Sequence, residues 1–131
     1  MPHASVRAPM KFLACVLLAF VASCADQTDT RPQTADYIIE AILVPFCGRA
    51  GCHTAETQPH DLAFDTIDNA MASLKKTDRG MQLVVPGSAD SSELFTILSD
   101  SRRIMPPDSP LPDANKMLIE NWINAGAPGL Q

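Results

Sequence analysis

The chain has 131 residues, with 15 acidic side chains against 10 basic ones, and a mean hydropathy of +0.01. That length allows one small domain. The acidic balance excludes the basic footprint expected of a nucleic-acid binder.

Taken in chain order, Arg7 and Lys11 form a short positive region. They precede Phe12 to Ala22, an apolar run of 11 residues. A membrane span needs roughly 20 apolar residues, so this run has the length of a signal-peptide core. It ends in Val21-Ala22-Ser23-Cys24, which resembles a bacterial lipobox and predicts a lipoprotein signal over 1–23 with lipid on Cys24. The alternative is an ordinary secretory signal cut near Ser23 or Ala25. Both predict export, with the lipoprotein anchored in a membrane and facing the periplasm or the cell surface. From Cys24 onward, 8 basic and 15 acidic residues leave a charge of −7. A surface this acidic disfavours adsorption on anionic lipid, and it could steer a basic protein partner.

Residues 24–34 are polar and predict a flexible tether. The domain is expected over 35–131. Asp36 is placed to cap a first helix, Tyr37 to Val44, which Pro45 should end. Asp65 is placed to cap a second helix reaching about Thr77, with Ile67, Ala70, Met71 and Leu74 on one face. Pro86-Gly87 marks a turn. Asp90 and Glu93 have capping-box spacing ahead of Leu94, Phe95, Ile97 and Leu98. Asp113 opens a last helix striped by Leu118, Ile119, Trp122 and Ile123, closed by Gly126 and Pro128. No alternating strand pattern occurs. The expectation is an all-α domain of about four helices.

Cysteine usage concentrates attention on one segment. Cys15 leaves with the signal and Cys24 is assigned to the lipid, so only Cys47 and Cys52 remain in the domain. They stand in Cys47-Gly48-Arg49-Ala50-Gly51-Cys52-His53. Two cysteines followed at once by histidine is the order that attaches a haem covalently. Each thiol forms a thioether with a vinyl group, and the histidine reaches the iron. The usual spacing has two residues between the cysteines; here there are four. A Cys47–Cys52 disulfide is the competing reading in an exported protein, and it leaves His53 unexplained. A buried porphyrin would also supply apolar core to a small domain whose large aromatics are Tyr37, Phe46, Phe64, Phe95 and Trp122.

Met105 is the natural second iron ligand. It lies on a loop stiffened by Pro106, Pro107, Pro110 and Pro112. Sulfur opposite histidine raises the reduction potential. Met71 and Met117 lie within helical patterns and are read as core. Met81 is a second candidate, and His60 follows His53 too closely to reach the opposite face of a haem. Glu56 and Asp61 lie near His53, but without specific metal-site spacing.

Five motifs follow one another: Cys47 to His53, Leu62-Ala63-Phe64, Val85-Pro86-Gly87-Ser88 with Ser92-Glu93-Leu94, Met105-Pro106-Pro107, and Asn121 to Pro128. In this order they resemble the planctomycete-type cytochrome c-like domain of bacterial surface and periplasmic proteins. The resemblance implies a class I-like cytochrome c fold with the first and last helices crossing. It implies one covalently attached haem c, with Cys47 and Cys52 as attachment points, His53 proximal and Met105 distal. The four-residue spacing between the cysteines departs from the family's usual pattern.

These features predict a membrane-tethered mono-haem electron carrier with redox protein partners and no catalytic residues. One alternative is a non-haem lipoprotein serving as a binding or structural module around a Cys47–Cys52 disulfide. Another is a haem enzyme or sensor in which Met105 does not hold the iron. Export is tested by Cys24→Ala. The variant should leave the membrane fraction and lose the acyl mass that the wild type carries. A variant that stays with the membrane, beside a wild type lacking acyl mass, would overturn the lipid assignment.

Overall fold

The computed structural model describes residues 29–131. The expected signal, Cys24 and the start of the tether lie outside the described residues. The domain is mostly helical, with a small two-stranded sheet that the sequence pattern did not announce.

Helix α1 (Ala35–Ile38) runs directly through a π-helical segment (Ile39–Leu43) into α2 (Val44–Cys47). Thr34, not Asp36, caps it: its side chain accepts from the Tyr37 N–H. Pro45 does not end this helix. A proline inside a regular α-helix removes an i→i−4 bond and crowds the carbonyl four residues back. Here the ladder has already widened, with the Val44 N–H donating to the Ile39 carbonyl. Pro45 therefore falls in the first turn of the next α-helical segment, where its missing N–H is tolerated. The consequence is functional: the helix continues to Cys47.

Helix α3 (Ile67–Leu74) is capped by Thr66, whose side chain accepts from the Asn69 N–H. The expected cap, Asp65, instead accepts from the Ala55 N–H and the Asn69 side chain. Where that helix was expected to run on to Thr77, the chain forms β1 (Thr77–Asp78), which pairs antiparallel with β2 (Met81–Gln82). Two residues per strand are too few to show alternation. Helix α4 (Glu93–Ser99) follows a 3₁₀ turn at Ala89–Ser91, and Glu93 is buried and not part of a capping box. Helix α5 (Asp113–Asn124) begins and ends close to where its sequence pattern predicts.

One core joins these elements. Ile38, Ile39, Ile42 and Leu43 from the first helix meet Leu118, Ile119, Trp122 and Ile123 from the last, all essentially without exposure. Met71 packs against this core as expected, whereas Met117 is exposed. The N-terminal segment pins both ends of α5. Arg31 donates to the Asn115 side chain (2.6 Å) and the Ala114 carbonyl (2.7 Å), and the Ala35 N–H donates to the Pro128 carbonyl (2.8 Å). The end of the expected tether is thus held against the domain.

The Trp122 indole fills the centre and donates from Nε1 to the Pro128 carbonyl at 3.1 Å. Trp122→Ala should lower the unfolding free energy by about 3–5 kcal/mol, the range for removing a large buried aromatic. Denaturant titration checks this.

Candidate haem-binding site

The segment after α2 turns back on itself tightly. The Cys52 N–H donates to the Arg49 carbonyl (2.9 Å), and the His53 N–H donates to the Cys47 carbonyl (3.0 Å). These bonds close the four-residue interval into a loop that brings Cys52 and His53 back beside the end of the helix. Gly51 sits at φ +80°, where a side chain would be strained. Gly48 is required for a different reason: a Cβ there would overlap the Phe64 carbonyl and stand 2.7 Å from the Asp65 Cα.

A second crossing completes the frame. The Phe64 N–H donates to the His53 carbonyl at 2.7 Å. The His53 Nδ1 then lies 3.3 Å from the Leu62 carbonyl, and Phe64 meets the imidazole edge-on with centroids 5.5 Å apart. A carbonyl can only accept, so Nδ1 carries the hydrogen and Nε2 presents a lone pair. This is how a backbone carbonyl sets the tautomer of a metal-binding histidine. Burial also pushes the His53 pKa down, and the Leu62 bond opposes that only in part. The neutral, ligand-competent form is the one favoured.

Both cysteines are free thiols and half-buried, Cys47 at the end of α2 and Cys52 on the loop that follows. Burial and the neighbouring Cys52 push the Cys47 thiol up to about 12. It is therefore a neutral S–H at physiological pH, with little tendency to act as a thiolate.

Cys47, Cys52 and His53 line one cleft, and Met105, Pro106 and Pro107 line it too. Residues 105–107 are separated from the cysteines in sequence by more than 50 positions. They are brought in by the end of α4, where the Met105 N–H donates to the Ile97 carbonyl at 3.1 Å. Leu62, Phe64, Leu83, Leu94 and Leu98 supply apolar walls. The cleft has a volume of about 260 Å³ and an open mouth, just under the ~300–1,000 Å³ of small-molecule and cofactor sites.

All four residues expected to hold haem thus meet in one place. Met81 does not line the cleft; it is exposed on β2. His60 does reach the cleft wall, where its Nδ1 lies 3.2 Å from an Asp78 carboxylate oxygen. Asp78, Arg79 and Glu93 also line the cleft, and the sequence reading did not identify them. Among the described residues, no three His, Cys, Asp or Glu side chains gather as a metal site, so the loose grouping of His53 with Glu56 and Asp61 does not form one. No described helix is long and apolar enough to cross a membrane.

Residues 50–109 match the family model described as Planctomycete cytochrome C. The match covers 60 of the 131 residues and marks what this stretch is similar to. It takes in Cys52, His53 and Met105, while Cys47 stands just ahead of it. No curated protein and no solved structure matches the chain.

The tight approach at Gly48 yields a direct test. Gly48→Ala should destabilise the haem-free fold by about 1–3 kcal/mol, as overpacking against backbone typically does. Gly51→Ala meets no neighbouring atom and should cost only its left-handed backbone strain, about 1 kcal/mol. Paired thermal melts check the order.

Proposed function

We propose that the protein is an exported, lipid-tethered, mono-haem c-type cytochrome that passes single electrons between redox protein partners and catalyses no substrate chemistry. The observation that supports it most is the convergence of Cys47, Cys52, His53 and Met105 on one apolar cleft. The residues present suit haem c. Cys47 and Cys52 would hold the macrocycle through thioethers, and His53 Nε2 and Met105 Sδ would hold the iron. The haem, when bound, supplies a one-electron ferrous/ferric couple.

The chain's own part is positional. The Leu62 carbonyl fixes the imidazole tautomer and strengthens its Nε2 as a donor. The Ile97 carbonyl anchors the methionine loop, and buried Pro106 restricts it. The apolar walls exclude water, so a change of charge at the cleft reorganises little solvent. Were His53 Nε2 and Met105 Sδ both to hold the iron, no coordination position would be left for a substrate. The acidic surface suits a basic redox partner, met by electrostatic steering. Lipid on Cys24 would keep the domain at a membrane face. A Cys47–Cys52 disulfide module is the second reading, favoured only by two free thiols lining the same cleft.

Denaturing mass spectrometry of the exported protein separates the two. The expected result is the added mass of one haem, lost in the Cys47→Ser, Cys52→Ser double variant. A polypeptide lacking haem and two hydrogens short would establish the disulfide.

The ligand assignment has its own signature. The ferric wild type should show the weak thioether band at the red end of the visible spectrum. Met105→Ala should abolish it, lower the potential and admit carbon monoxide. Met81→Ala should change none of these. If Met81→Ala removes the band and Met105→Ala keeps it, the distal ligand is misassigned.

A further inference from the structure

One wall of the cleft is polar, and it leads into a second recess of about 350 Å³ that shares His60, Arg79, Met105 and Pro107 with the cleft. Arg102 and Arg103 line the recess. Three of the six arginines in the chain are therefore gathered at one end of an otherwise apolar slot.

Their geometry is built, with Arg79 and Arg103 held from one side. Arg79 Nε donates to Asp78 Oδ2 at 3.1 Å, and Arg103 Nε donates to Asp100 Oδ2 at 2.9 Å. Asp78 and Glu93 side chains are more than nine-tenths buried. Glu93 Oε1 has no hydrogen-bond partner among the described residues, yet it lies 3.5 Å from Arg103 Nη1 and 3.9 Å from Arg79 Nε. The buried acids orient the guanidinium groups. The Nη groups of Arg79 have no partner among the described residues, whereas Arg103 Nη1 is ion-paired with Glu93 and leaves its Nη2 available. A guanidinium end presents parallel N–H groups that match a carboxylate bidentately.

We propose that Arg79 and Arg103 are the seat for the carboxylate end of the cofactor, the haem propionates. This rests on the cytochrome reading and adds an orientation to it. The apolar plate lies in the cleft and its two acids point into the arginine recess. Around the recess three arginines balance three carboxylates (Asp78, Glu93 and Asp100), so this end is locally neutral in a chain that carries −7 from Cys24 onward.

The test uses the full-length haem-loaded protein and resonance Raman spectra, in which the propionate-bending band reports hydrogen bonding to those carboxylates. Arg79→Gln and Arg103→Gln should each shift the band toward the unbonded position and lower the potential. Arg79→Lys should restore the potential more fully than the band, because it returns the charge without the fork. Lys75→Gln removes an exposed charge outside both cavities and should leave the band in place. Glu93→Gln keeps both arginines and should leave the band bonded, which separates propionate binding from mere neutralisation of a buried acid. If a variant attaches haem poorly, its surviving holoprotein still gives the band. A haem-loaded wild type whose band is unmoved in both arginine variants would overturn the seat and leave the cytochrome reading standing. Absence of haem from the wild type itself would overturn both.

Discussion

The close crossing of two backbone stretches, residues 47–53 and 62–65, governs this site. Gly48 lets the chain lie against the Phe64 carbonyl, and the Phe64 N–H closes onto the His53 carbonyl. With the backbones that near, the Leu62 carbonyl comes within reach of Nδ1. Position, ring orientation and tautomer of His53 therefore follow from one packing constraint. A side chain larger than hydrogen at residue 48 would separate the strands of this crossing, and each dependent feature would loosen with it. The four-residue interval between the cysteines is accommodated by the same turn. The Cys52→Arg49 and His53→Cys47 bonds take up the extra residues, and both cysteines still reach the cleft.

The motif residues were legible because their chemistry is local. Two cysteines, an adjacent histidine and a proline-fixed methionine carry their meaning in sequence spacing. Helix α5 was legible because twelve residues give a full apolar stripe and the chain breaks at Gly126. Pro45 misled because a π-helical widening cannot be seen in a periodicity of 3.6, so the helix runs three residues further than proline rules suggest. Caps shifted by one or two residues, from Asp36 to Thr34 and from Asp65 to Thr66, since neighbouring oxygen-bearing side chains compete for the same N–H. Met117 shows the limit of reading a methionine as core: it sits beside the buried stripe but projects outward. The polar wall was invisible for another reason. Asp78, Arg79, Glu93 and Arg103 belong to the hairpin, α4 and the loop after it. Only the tertiary fold makes them neighbours.

The two sides of the cleft are held unequally. His53 is fixed by the backbone crossing, a side-chain hydrogen bond and an aromatic edge contact. Met105 has one backbone bond to Ile97 and relies on proline for the rest. Proline holds that loop chiefly by restricting the unfolded chain. The cleft thus presents a firmly held imidazole nitrogen and a more yielding thioether sulfur. For an electron carrier that division is useful. Under the proposed reading, attachment through the cysteines would keep the macrocycle from dissociating, so Met105 would not be needed for retention. Its part would be to set the potential and to occupy the remaining coordination position. A thioether would do both with a weak bond, and the loop around Met105 would then need only enough stiffness to keep its sulfur nearer than water.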